Sequence, residues 1–258
     1  MRIVVKVGTS TLAHATGLLN IRRVEQLCAV MSDLKNAGHQ LILVSSGAIG
    51  MGVGKLSLPC RPTDIPTKQA AAAVGQCELM YTYDKLFTEH NHTVAQLLVT
   101  GADLSHDDRR NNFRNTLFRL LELGALPIVN ENDTVATEEI VIGDNDTLGA
   151  IVATHTQADL LILLSDIDGL YTADPHTDPS ATLLTEVTEI TSAIEAMVGG
   201  AGTKLGTGGM QTKISAAKIA TAAGVTMVIA NGQDPAVLYD IVEGKPVGTR
   251  FIAKGADQ

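Results

Sequence analysis

The 258-residue chain is 45% apolar yet only 3% aromatic and has no tryptophan, so its core must be built from Val, Ile, Leu and Ala. A formal charge of −9 excludes a basic stripe for a nucleic-acid backbone, and no window approaches the roughly 18 apolar residues of a membrane span. Cys28, Cys60 and Cys77 show no close pair spacing and read as reduced thiols; Lys6 interrupts the apolar amino terminus, so no signal peptide is expected, and the chain reads as cytoplasmic.

The first element is a strand over residues 2–7 that ends in Gly8-Thr9-Ser10-Thr11. Lys6 inside this run needs a partner. Either it snorkels at a sheet edge, or its ammonium reaches a ligand's phosphates from the strand's carboxyl end. Ile21, Val24, Leu27, Cys28, Met31 and Leu34 recur at intervals of mostly three and four and predict a helix over about 21–37, stopped by Gly38. A strand at 40–44 runs into Ser45-Ser46-Gly47-Ala48-Ile49-Gly50-Met51-Gly52, which suits a tight turn or a ligand at the strand's end. Pro59, Pro62 and Pro66 mark 53–66 as an irregular excursion before an Ala-rich helix from Lys68 to about Phe87. A third strand follows at 93–99, then a polar piece at 103–112 and a helix over about 112–123.

A strand at 126–129 leads into Asn130-Glu131-Asn132-Asp133-Thr134, with a hairpin arm possible at 138–142. Gly143-Asp144-Asn145-Asp146 then opens a helix from about Thr147 to Thr156. Singly, Asp and Asn are turn formers and caps; two such clusters so close together point to a site. The strand at 160–164 ends at Ser165-Asp166. Beyond a variable-looking region comes Gly206-Thr207-Gly208-Gly209-Met210-Gln211-Thr212-Lys213, read either as a plain flexible loop or as a phosphate cradle before a helix at 212–223, with Lys213 near the first turn. A strand at 225–230, a helix at 234–243 and a strand near 248–251 close the chain. Alternation without a composition break predicts one domain over 1–258, an α/β three-layer α/β/α sandwich with a mainly parallel central sheet. His90 and His92 are the only close histidine pair and give no credible metal set.

Lysines, carboxylates and glycine-rich turns at the ends of successive strands form an inventory for phosphoryl transfer, without a Walker loop or the protein-kinase signatures. Val5-Lys6-Val7-Gly8-Thr9-Ser10, Ser45-Ser46-Gly47-Ala48-Ile49, Asn130-Glu131-Asn132-Asp133, Gly143-Asp144-Asn145-Asp146, Gly169-Leu170-Tyr171-Thr172-Ala173-Asp174-Pro175 and the block at 206–213 resemble, in order and over nearly the whole chain, the glutamate 5-kinase family of the amino-acid kinase superfamily. The resemblance implies the amino-acid kinase fold and transfer of the γ-phosphoryl group of ATP to the side-chain carboxylate of L-glutamate, the first step of proline biosynthesis. It implies Lys6 and Lys213 as cations flanking the phosphoryl group and Asp146 as their organiser, with helix N-cap as the rival role for Asp146. Gly8 and Gly47 would allow close backbone approach. Glutamate would lie on Ser46, Gly47, Asp133 and Asn145, with Asp133 on its ammonium and Ser46 and Asn145 donating to carboxylate oxygens. ATP would lie on Lys6, Gly8, Ser165, Asp166, Thr207, Gly208, Gly209, Met210, Gln211, Thr212 and Lys213, with Mg²⁺ bridging its phosphates and no metal-binding residue assigned.

By the same resemblance, residues from about 1 to 150 form the acceptor side and those from about 151 to 258 the nucleotide side. Feedback inhibition by proline, homo-oligomerisation and hand-off of the acyl phosphate to glutamyl phosphate reductase are implied too. Many members carry an additional carboxy-terminal domain that this chain is expected to lack. Two rivals are a kinase for another small acceptor and an amino-acid-binding regulator without catalysis. A regulator should have lost Lys6, Lys213 or Asp146, and all three are present.

Overall fold

The computed structural model describes residues 1–14, 18–136, 144–175, 177–198 and 207–255. The expected hairpin arm at 138–142, Gly143 and Gly206 lie outside them. The chain opens with β1 (Arg2–Val7), α1 (Thr9–Leu12), α2 (Ile21–Asn36), β2 (Gln40–Ser45), α3 (Ala48–Lys55) and α4 (Ile65–Thr88). Next come β3 (Val94–Val99), α5 (Gly101–Ser105), α6 (Asp107–Glu122), β4 (Leu126–Glu131), α7 (Asn145–His155) and β5 (Leu160–Ser165). The remainder is β6 (Glu186–Val187), α8 (Ser192–Val198), α9 (Thr207–Ala222), β7 (Thr226–Asn231), α10 (Val237–Val242) and β8 (Thr249–Phe251).

The strands form one eight-stranded sheet in the order β3-β4-β2-β1-β5-β7-β8-β6. Every pairing is parallel except β7 with β8. Successive strand side chains point to opposite faces, so each apolar run feeds two cores. Ile3, Val5, Leu41, Leu43 and Ile162 pack on one face with α2, α4 and α10 through Leu27, Met31, Tyr83 and Leu238. Val4, Ile42, Val44, Leu161 and Leu163 pack on the other with α6, α7 and α9 through Leu117, Leu148, Ile214 and Ala217. These are the three expected layers. Lys6 sits in register with Val44 on β2 and Leu163 on β5, inside the sheet, so the edge-lysine reading fails.

Several boundaries differ from the sequence reading. The small-residue run after β2 is a helix, α3, despite Gly50, Gly52 and Gly54, because its backbone lies directly against α4. A Cβ at Gly52 would stand 1.8 Å from the Ala71 carbonyl oxygen, and one at Gly75 would stand 1.7 Å from that of Ala48. Such close helix contact outweighs poor glycine propensity. Helix α4 starts before Pro66, not after it: Asp64 caps it by accepting from the Thr67 N–H at 2.9 Å, and proline's missing N–H is harmless in a first turn. Helix α6 starts at Asp107, its acidic first turn suiting the helix dipole, rather than near residue 112. The two-residue β6, in the variable-looking region, is too short to carry a periodic signal and is held by pairing with β8.

Candidate functional site

Strands β1, β2 and β4 end on the same side of the sheet, and the first turn of α7 lies across them. Asp144 caps that helix, accepting from the Thr147 N–H at 2.8 Å and the Thr147 hydroxyl at 3.0 Å. The cap is therefore Asp144, and Asp146 is released from that role. Being the second helical residue, Asp146 carries its charge at the favourable end of the helix dipole.

Asp146 joins the two ends of the chain. Lys6 Nζ lies 2.6 Å from its Oδ1, and Lys213 Nζ lies 3.0 Å from its Oδ2. Each side chain in this triad is at most 9% exposed. The Thr212 hydroxyl donates to the same Oδ2 at 3.0 Å. Burial opposes ionisation of Asp146, but the two ammoniums overcome it and hold the carboxyl below its ordinary range. The cluster is one carboxylate and two ammoniums, a net positive charge suited to phosphoryl oxygens. Gly8 adjoins it: a Cβ there would stand 3.4 Å from the Lys6 ammonium.

Lys213 reaches Asp146 differently from the sequence expectation. Helix α9 begins at Thr207, so Thr207, Gly208, Gly209, Met210 and Gln211 form its opening turns and Lys213 lies in the second. Helical side chains slant toward the N-terminus, which carries Lys213 Nζ back to within 3.2 Å of the Gly209 carbonyl. Met210 packs partly buried against the core, and Gln211 is exposed. Ser165 and Asp166 stand at the end of β5, next to β1; Ser165 Oγ donates to Asp166 at 3.2 Å and not to the lysine cluster.

A second cluster lies beside the first. Asn145 Nδ2 donates to Ser46 Oγ at 2.7 Å, Asn130 Oδ1 at 3.0 Å and the Ser45 carbonyl at 3.2 Å. Its hydrogens are thus spent within the protein, and the expected donation from Asn145 to a ligand carboxylate gives way to an acceptor, Oδ1. Ser46 Oγ accepts from Asn145 and keeps its hydrogen to give. Gly47 caps α3 at φ 106°, a left-handed conformation that favours glycine.

Asp133 follows β4 in the same region, where burial raises its pKa and Arg61 works against that rise. Glu131, which carried no role in the sequence reading, is the more perturbed: burial, then the Asp133 and Asp144 charges, push it up to about 7. Its folded value exceeds the unfolded 4.5, so its contribution to stability is full below 4.5 and is lost as pH rises through about 7. Glu131→Gln stays neutral throughout and should raise the melting temperature at about pH 8 while changing it little at about pH 4. Calorimetry of both proteins checks this, and equal melting temperatures at the higher pH would contradict a buried charge. Gln76, from the middle of α4, also enters this cluster, its Oε1 accepting from Asn130 Nδ2 at 2.9 Å. A lone polar residue among Ala72, Gly75, Leu79 and Tyr83 was its only sequence signal.

The amino acid kinase family matches residues 1–231 of this chain. A Clostridium perfringens protein named glutamate 5-kinase is 54% identical over 257 residues, covering 98% of this chain and 96% of the relative. One of the same name from Listeria innocua is 53% identical, covering 98% and 93%. Among solved structures, the carbamate kinase of Giardia lamblia bound to AMP-PNP superposes with a TM-score of 0.69 at 19% identity, covering 98% of each chain. An isopentenyl phosphate kinase from T. acidophilum gives 0.68 at 18%, covering 97% of this chain and all of that one. At such identities the structural matches speak for the fold alone.

Proposed function

This chain belongs to the amino acid kinase family and, within it, to the glutamate 5-kinases, whose reaction phosphorylates the side-chain carboxylate of L-glutamate with ATP; from that premise we propose how its residues divide the work. The observation that carries the division is Asp146 holding one buried ammonium on each oxygen. A glutamate side chain with a pKa of roughly 4.3 is already ionised at neutral pH, so the nucleophile needs no general base. An anion must instead approach an anion in line, and catalysis is positioning and charge neutralisation.

Lys6 and Lys213 flank the transferring phosphoryl group and Asp146 sets their positions. The N–H groups opening α9, with Gly8, Ser165 and Asp166, take the nucleotide, so the nucleotide side falls in the later half of the chain. Mg²⁺, entering with ATP, would offset charge on the phosphates; both Asp146 oxygens are engaged by lysines, so that carboxylate serves the ammoniums rather than a metal. The acceptor side takes glutamate, its ammonium on Asp133 with Glu131 close by, its carboxylate on the Ser46 hydroxyl and the backbone at Gly47.

The acyl phosphate product is prone to hydrolysis, which supports prompt hand-off to a reductase. Proline would compete where it shares the acceptor's ammonium and carboxylate. We place the protein in the cytoplasm as a homo-oligomer; no described helix is long and apolar enough to cross a membrane.

Asp133→Ala tests the division. It should raise KM for L-glutamate by more than about tenfold while kcat stays within about threefold. A fall in kcat with KM unchanged would take Asp133 out of the acceptor pocket.

A further inference from the structure

Three side-chain amides stand in a row between α7 and α4, and their hydrogen bonds run one way. Two backbone groups set the direction. The Glu131 N–H donates to Asn130 at 2.9 Å, and since a backbone N–H can only donate, the Asn130 atom facing it is the oxygen. The Ser45 carbonyl lies 3.2 Å from Asn145 and can only accept, so the Asn145 atom facing it is the nitrogen. Both amide orientations are therefore fixed by their surroundings. Asn145 Nδ2 then donates to Asn130 Oδ1 at 3.0 Å, and Asn130 Nδ2 must find an acceptor further in. Gln76 supplies it through Oε1 at 2.9 Å.

Asn130 is 2% exposed and Gln76 6%, so water has little access to this end of the row. Gln76 Nε2 is buried without a hydrogen-bond partner among the described residues. A side chain kept there despite an unmet donor is being kept for its oxygen. Without that oxygen, Asn130 Nδ2 would be left unmet, or Asn130 would flip and turn its nitrogen toward the Glu131 N–H and Asn145 Nδ2, setting donor against donor.

We propose that Gln76 is a positioning residue for the acceptor amino acid: it ends a one-way relay from Asn145 through Asn130 that leaves the Ser46 hydroxyl free to donate and Asn145 Oδ1 free to accept at the pocket. This rests on the reading of Ser46 and Asn145 as acceptor-side residues. An α-amino acid offers an ammonium and a carboxylate close together, and a fixed donor beside a fixed acceptor discriminates for that pair.

The test is steady-state kinetics of Gln76→Met, close to glutamine in shape, and Gln76→Glu, whose carboxyl still accepts from Asn130, with melting temperatures alongside. Gln76→Ala stands in should the Met variant not fold. Gln76→Met should raise KM for L-glutamate about tenfold, the loss expected for one unmade buried hydrogen bond, with KM for ATP within about twofold. Gln76→Glu should bring the glutamate KM back to within about threefold of the wild type. An unchanged glutamate KM in a folded Gln76→Met, equal rises in both KM values, or no rescue by Gln76→Glu overturns the proposal. Asn145→Ala is measured in parallel. If it raises the glutamate KM and Gln76→Met does not, the relay alone is wrong; if it leaves that KM unchanged, the acceptor-pocket reading and the relay both fall.

Discussion

Asp146→Asn should lower kcat by about a thousandfold, the upper range for removing a pre-placed electrostatic group, and should destabilise the folded chain as well. The two effects share one cause. Lys6 and Lys213 are each at most 9% exposed at the side chain, and both ammoniums rest on this single carboxylate. An amide keeps the shape but turns an NH₂ toward one ammonium, leaving two buried cations with no counter-charge. Breaking a buried pair in this way costs about 3–5 kcal/mol, which urea denaturation resolves easily. The pH dependence gives a second reading. Asp146 has a folded pKa below its unfolded 3.8, so its stabilisation is present above 3.8 and is lost as pH falls through the lower folded value. The stability gap between wild type and variant should therefore narrow in acid. A variant with wild-type turnover would remove Asp146 from the organising role.

Lys213→Ala should cut kcat by a comparable factor, about 10²–10³, with KM for L-glutamate within about threefold. Lys213 contacts Asp146 and the Gly209 carbonyl, on the side proposed to face the phosphates, whereas the proposed acceptor cluster is built on Ser46, Asn130 and Asn145. Its charge therefore matters most when negative charge spreads over the transferring group. Asp146 keeps Lys6 as a partner in this variant, so the stability loss should be smaller than in Asp146→Asn. A rise in glutamate KM with kcat preserved would move Lys213 to the acceptor side.

The two clusters meet in consecutive residues, since Asn145 serves the amide row and Asp146 the lysines. Adjacent positions on a helix point in directions about 100° apart, so one turn of α7 can face two neighbouring pockets. That explains why the Asn-Asp-rich segment carried so much signal in the sequence.

What the sequence showed clearly was whatever leaves a local imprint. β1, β2, β5 and β7 read as strands because buried parallel strands are continuous apolar runs, and Lys6 stood out for breaking one. What it hid depends on contacts distant in the chain. α3 reads as a turn in the sequence because the reason for Gly52, its close approach to Ala71, and for Gly75, its approach to Ala48, lies across the contact with α4. Asp146 competed with Asp144 for the cap, and spacing alone could not decide between neighbours. The start of α9 was hidden by glycines that disguise a helix as a loop. The orientation of the Asn145 amide is set by Ser45, Ser46 and Asn130, which accept from its nitrogen and lie at least 15 positions away in sequence. Gln76 lay 54 residues from its partner Asn130, beyond any local pattern.

Trapping of the acyl phosphate with hydroxylamine tests most directly whether the carboxylate-held pair of lysines positions the γ-phosphoryl group of ATP for transfer to the glutamate side chain. The wild type and Lys213→Ala would each be incubated with ATP and L-glutamate, L-aspartate, N-acetyl-L-glutamate or no acceptor. Hydroxamate should form with L-glutamate only and be almost completely lost in Lys213→Ala. Hydroxamate formed undiminished by the variant, or formed with another acceptor in place of L-glutamate, would contradict it.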